Sequence, residues 1–273
     1  MDRRNFLKTG GIALLGSLAT GSAMALTTPG ALGGEGADKK AAVALAMNHF
    51  GVSEADLKKV LAAALEKGGD YADLFFEHTI SNSIRLMDGA VNNSYSNIDY
   101  GVGVRVLTGD QSGYAYVENI TVEDMLKAAR TAARIASANK GNKPLNLTEK
   151  ELKKNYYTVA SPWEEVSLKD KMPYLQKLND RIFALDKRVH KVQASQSDTT
   201  SHIFFCNSEG VMFYDYRPMV TLGAVCIMEE DGKTENGYAA RAYRRGFDFL
   251  SDEVVDVIAR EAVDQTSLLF KAI

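Results

Sequence analysis

Four histidines, two cysteines and one run of arginines and tyrosines are the side chains of this 273-residue sequence best suited to chemistry. The histidines are His49, His78, His190 and His202. None lies three or four residues from another, and no H-E-x-x-H occurs, so no helix face carries a two-histidine metal site. Glu77 and His78 are neighbours on a predicted strand, where successive side chains point to opposite faces and cannot share a ligand. Cys206 and Cys226 fall on two predicted strands. They read either as one disulfide in an oxidising compartment or as two small core residues. Tyr238, Arg241, Tyr243, Arg244 and Arg245 concentrate cations and aromatic rings. Such a mixture grips a partner or a peptide carboxylate, or else forms a solvated loop. Gly101-Val102-Gly103 lacks the third glycine of a dinucleotide loop, since Val106 stands there, and no helix follows. There is no phosphate-binding G-x-x-x-x-G-K-[ST] and no G-x-S-x-G nucleophile elbow.

The composition bounds the rest. Hydrophobic residues make up 45% of the chain, enough for a sizeable core. Lys+Arg is 32 against Asp+Glu 35, a net charge of −3, which argues against a nucleic-acid binder working by phosphate neutralisation. Two cysteines exclude a disulfide framework and a Cys-rich zinc module.

The first 25 residues read as an export signal. A basic head with Arg3, Arg4 and Lys8 precedes a short apolar stretch from Gly10 to Ala25, which ends in the small-x-small site Ala23-Met24-Ala25. Arg3 and Arg4 followed by Phe6-Leu7-Lys8 resemble the twin-arginine type, so the chain is expected to be exported to the periplasm already folded. The stretch is too short and too rich in Gly, Ser and Thr for a stable membrane span. Cleavage would leave 248 residues and move the net charge from −3 to −5, since Arg3, Arg4, Lys8 and Asp2 leave together.

The elements that must position any site follow from capping and periodicity. Residues 26–50 read as a linker and poorly defined segment. Ser53 caps a helix ending at Gly68-Gly69. Strands are expected at Tyr71–Thr79, Ser83–Met87, Val91–Ser96, Gly101–Leu107 and Gly113–Val117, with a hairpin turn at Asp88-Gly89. Thr121 caps a helix to about Ala138. Residues 140–162 read as a connector. Ser167 opens a helix to Asp186 with Pro173 inside it. A second strand series covers Val189–Ser197, Ile203–Asn207, Val211–Tyr216 and Thr221–Glu229, and Asp231-Gly232 turns into the Tyr/Arg-rich stretch. Ser251 caps a last helix to Phe270. The predicted fold class is α+β, a mainly antiparallel sheet with helices on one face and the order helix, strands, helix used twice. Residues 51–139 and 163–273 are the two subregions.

Several segments together resemble the TldD/PmbA family, also called modulators of DNA gyrase. They are Gly69–Glu77, Asn97–Arg105 with Gly109 and Gly113–Tyr116, Lys187-Arg188-Val189, Arg217-Pro218, Glu229–Lys233, and Tyr243–Phe247 before the last helix. The resemblance runs from about Ser53 to the chain end. It implies a zinc metallopeptidase acting on peptides as a homodimer or as a heterodimer with a paralogue. It also implies an H-E-x-x-x-H zinc motif in a C-terminal portion that would follow Ile273. The expectation is therefore an N-terminal portion that binds no cofactor itself, with no catalytic or metal-ligating residue in this chain. Asp99, Tyr100, Arg105, Tyr238, Arg241, Tyr243, Arg244 and Arg245 are its candidates for a peptide cleft or subunit interface. A free-standing periplasmic binding or assembly module is the competing expectation.

Overall fold

The computed structural model describes residues 39–136, 144–150, 157 and 159–271. The helices are α1 (Lys39–Phe50), α2 (Glu54–Leu65), α3 (Val122–Ile135), α4 (Leu168–Leu185) and α5 (Asp252–Leu269). The strands are β1 (Tyr71–Met87), β2 (Ala90–Thr108), β3 (Gln111–Val117), β4 (Thr148–Glu149), β5 (Val189–Asn207), β6 (Val211–Glu230) and β7 (Lys233–Tyr243). The residues of the expected signal, Arg3 and Arg4 among them, lie outside the described residues.

Local chemistry sets the ends of these elements. Ser53 and Asp56 form a reciprocal capping box at α2. Thr121 accepts from the Asp124 amide at α3, and Ser251 from the Val254 amide at α5. The Asp170 carboxylate takes both the N–H and the O–H of Ser167 at α4. Asp88-Gly89 and Asp231-Gly232 both hold positive φ at each residue, as two-residue hairpins require.

The strands form one seven-stranded sheet in the order β3-β2-β1-β5-β6, with β7 and the two-residue β4 both on β6. All pairings are antiparallel except β4 with β6. The architecture is the expected α+β. The β1–β5 ladder runs from Asp73↔Asn207 to Met87↔Gln193 and joins the two subregions into that sheet.

Four expected strand pairs are single strands of 17 to 20 residues: β1, β2, β5 and β6. At about 3.3 Å per residue they reach roughly 60 Å. The 12- to 18-residue helices span only about 18–27 Å, so one helix layer cannot cover such a strand. Two separate cores form on the same sheet face. The first joins α1, α2 and α3 to Leu74, Phe76, Val104, Phe204 and Cys206. The second joins α4 and α5 to Ile84, Leu86, Val192, Leu222 and Cys226. On β1, β5 and β6 the residues in both cores are almost all even-numbered, as a period of two demands.

Two more elements depart from expectation. The 26–50 segment contains α1, and its Val43, Ala46 and Phe50 are buried in the first core. The Tyr/Arg-rich stretch is strand β7, paired with β6 from Val220↔Tyr243 to Glu230↔Lys233. Among the described residues no helix is long and apolar enough to cross a membrane.

Candidate functional site

Between the two cores the helix-bearing face turns polar. From Phe76 to Ile84, β1 contributes His78, Ile80 and Asn82. From Ala194 to Phe204, β5 contributes Gln196, Asp198, Thr200 and His202, all buried. β6 contributes Tyr214 and Tyr216. This seam exists because neither helix layer reaches the middle of the sheet.

Register brings the histidines there. His78 is paired with His202 across the β1–β5 ladder. His49, at the end of α1, lies over both, with ring centroids 5.0 Å from His78 and 5.1 Å from His202. His49 Nε2 and His78 Nδ1 are 2.8 Å apart. One ring donates and the other accepts, so one of these two nitrogens must be deprotonated. Burial, then the neighbouring His202 and His78, pulls the His49 pKa down to about 4. Burial and His202 also lower that of His78, against the opposing pull of Glu164.

Glu164 reaches the seam from the 3₁₀ turn Trp163–Glu165. Trp163 pins that turn, since its indole N–H donates to the Arg245 carbonyl at 2.7 Å and its ring is buried. His202 Nε2–H donates to Glu164 Oε1 at 3.0 Å, and the Tyr214 hydroxyl donates to His202 Nδ1 at 2.7 Å. Thr200 and Tyr216 hydroxyls both donate to Glu164 Oε2 at 3.2 Å. Burial opposes the Glu164 charge, but the hydrogen bonds, led by that from His202, outweigh it and keep the carboxyl below its usual range. Burial pushes the Tyr214 and Tyr216 hydroxyls well above their ordinary range, so they stay protonated and donate. Further along, Lys171 of α4 pairs with Asp198, which also accepts from Asn82 and Gln196.

The seam therefore offers fixed donors, three imidazoles and two carboxylates, Glu164 and the ion-paired Asp198. It holds no activated nucleophile, because its hydroxyls are not ionised and the Cys206 thiol is raised by burial. Nor does it suit zinc. The rings of His49, His78 and His202 stack rather than converge, and both His202 nitrogens are engaged. Among the described residues no group of three His, Cys, Asp or Glu is arranged to hold a metal ion.

The candidates read from sequence lie in several places. Tyr100 joins the seam, edge-on to His78 at 5.4 Å. Asp99 and Arg105 occupy the other face of β2. Asp99 accepts from Asn97 at 3.1 Å, and Arg105 binds Asp73 through two nitrogens at 2.9 and 2.5 Å. The second group lies across the sheet from these. Arg241 binds Glu261 of α5, Arg245 binds Asp248, and Arg244 stacks on Tyr157. Tyr243 packs on Phe249 at 5.1 Å, and Tyr238 is exposed. The structure does not bring the two groups together. His190 is exposed, 4.0 Å from Glu229. The sequence reading missed His49, His78, His202 and Glu164 as a unit. The one available signal was that His78 and His202 both continue the buried parity of their strands.

The comparisons with known proteins agree with one another. The profile described as "PmbA/TldA metallopeptidase domain 1" matches residues 72–136, and "PmbA/TldA metallopeptidase central domain" matches residues 161–270. A Haemophilus influenzae protein, "Metalloprotease TldD homolog", is 31% identical over 214 residues, 75% of this chain and 44% of its own length. A Methanocaldococcus jannaschii metalloprotease is 25% identical over 213 residues, 75% of this chain and 45% of its own. The chain thus spans under half the length of these relatives. Among solved structures, a Thermotoga maritima protein described as a modulator of DNA gyrase superposes with a TM-score of 0.61 at 18% identity, over 78% of this chain and 47% of its own. TldE from Thermococcus kodakarensis gives 0.58 at 16%, over 78% and 47%.

Proposed function

Because this chain belongs to the TldD/PmbA metallopeptidase family, we propose that it is the non-zinc-binding N-terminal portion of an exported peptidase of that kind. The observation that carries this reading is the pair of profile matches: the first and central domains of the family are matched, in order. In this reading the zinc ligands lie outside this chain, as the family resemblance implies. When bound, zinc would activate water and polarise the scissile carbonyl.

In this reading the chain walls the peptide cleft and pairs with a second subunit, either a copy of itself or a family paralogue. β3 pairs with β2 only over Val102–Thr108, so the outer edge of β2 before Gly101 carries no strand among the described residues. Such an edge can receive an extended peptide through backbone hydrogen bonds; Asp99 lies on it, and Arg105 lies just beyond, where β3 covers β2. The basic head containing Arg3 and Arg4 directs export by the twin-arginine route.

Zinc content and peptide cleavage test the reading. The purified chain is expected to hold no stoichiometric zinc and to cleave no peptide. It should gain both when joined to a downstream segment carrying H-E-x-x-x-H. Stoichiometric zinc or cleavage by the chain alone overturns it. A fusion of Met1–Ala25 to a reporter tests export, and export that survives Arg3→Lys with Arg4→Lys removes the twin-arginine assignment.

A further inference from the structure

Helix α1 is fastened to the sheet at its last turn. Phe50 is buried against Phe76 and Phe204, at ring separations of 5.4 and 6.4 Å, and stacks on Tyr100 at 5.9 Å. His49, one residue earlier, closes the three-imidazole stack. Gly51 follows at φ +66° and ends the helix, with its N–H donating to the Asn48 carbonyl. Gly51 and Val52 are all that separate α1 from the capping serine of α2. A short joint therefore adjoins the point of attachment.

We propose that the stacking of His49 on His78 and His202 is an acid-released latch, holding α1 on the sheet while His49 and His78 are neutral and freeing it when these two take up protons.

Three imidazoles lie with ring centroids 5.0 to 5.9 Å apart. The groups facing them are Glu164 from the 3₁₀ turn, Tyr214 and Tyr216 from β6, and Tyr100 from β2. Glu164 is the one carboxylate among these, and the tyrosines are neutral. One carboxylate, already bonded to His202, cannot balance the two charges that protonated His49 and His78 would bring. Protonating both His49 and His78 also destroys their hydrogen bond, because two N–H groups would then face each other. Undocking α1 separates His49 from both neighbours and returns its ring to water.

The docked His49 pKa is about 4, below its ordinary 6.5, and that of His78 is also lowered. The released state binds more protons than the docked one. Docking is therefore at full strength above pH 6.5 and weakens as pH falls from 6.5 through 4. For one fully shielded group the docking constant drops about tenfold per pH unit. His49 remains partly in contact with water, so a fall of about ten- to a hundredfold between pH 7 and pH 4.5 is expected.

Hydrogen exchange across pH, corrected for intrinsic rates, tests this on the intact chain. Amide protection in Lys39–Phe50 should fall below pH 6.5 while the central β1 amides stay protected. Trp163 fluorescence, which reports the second core, should not change in the same range. His49→Gln removes the titrating group from an exposed position and should flatten the pH dependence. His78→Gln should do the same. His190→Gln, distant from the stack, should leave it intact. The proposal fails if α1 protection is independent of pH between 7 and 4.5, if it is lost only together with the β1 amides and the Trp163 signal, or if His49→Gln and His78→Gln both retain the wild-type dependence.

Discussion

The ammonium of Lys171 lies 2.5 Å from Oδ2 of Asp198, with the two side chains 4% and 1% exposed. The pair ties α4 to the middle of β5, where the second core gives way to the polar seam. Its remaining valences are used: Asn82 donates to Oδ1 at 3.0 Å, Gln196 donates to Oδ2 at 2.9 Å, and the ammonium lies 5.3 Å from the Trp163 ring centre. A buried pair is weak evidence of net stabilisation, but removing one partner strands the other charge. Lys171→Met should therefore lower unfolding free energy by about 3–5 kcal/mol, read from the urea midpoint. Adding Asp198→Asn should recover part of that loss, giving a double mutant less destabilised than the sum of the singles. Strict additivity would show that the two charges do not interact.

The thiols give a simpler prediction. Cys206 sits in the first core and Cys226 in the second; both are free and fully buried. Their β5 and β6 positions pair with Met212 and Val192 respectively, far apart along the ladder, so no disulfide can join them. Burial raises both thiol pKa values. A thiol reagent should find neither cysteine in the native chain and both after unfolding, without prior reduction. A thiol count of zero in denaturant would contradict the structure.

The same seam explains what could and could not be read from sequence. Caps at Ser53, Thr121, Ser167 and Ser251 and the two Asp-Gly turns were legible because their causes are local. The alternation of buried even positions was legible wherever a helix covers the strand. The expected strands broke off at residues 80–82, 97–100, 198–202 and 217–220; Asn82, Asp198, Thr200 and His202 put polar side chains on the helix face there, and Pro218 interrupts the pattern on β6. The backbone ladder runs straight through those places, so eight expected strands are four. The histidine cluster was not legible because it depends on the β1–β5 register, between segments more than 100 residues apart, and on the docking of α1. The β7 stretch reads as a loop by composition. Its strand character comes from small residues such as Gly237 and Ala239 lying under α5, with Arg241 tied to Glu261.

Close backbone approach supplies the last test, at Gly113 of β3. A Cβ built there would fall onto the Ala132 carbonyl and come within 3.0 Å of the Ala136 amide nitrogen, both at the end of α3. That end of α3 presents Ala129, Ala132, Ala133 and Ala136, all buried, so the helix lies directly against the edge strand. The obstacle is backbone rather than a flexible side-chain tip, and it cannot move aside without shifting the helix. Gly113→Ala should therefore cost about 1–3 kcal/mol or more, although alanine is otherwise better suited than glycine to regular structure. Gly232→Ala makes the useful contrast. Its Cβ would meet nothing within 4 Å, and the penalty there comes only from its φ of +77°. Thermal melts of the two variants separate the causes. Restoring space with Gly113→Ala in the background of Ala132→Gly should not rescue stability, because the collision is with the carbonyl of residue 132 and not with its side chain.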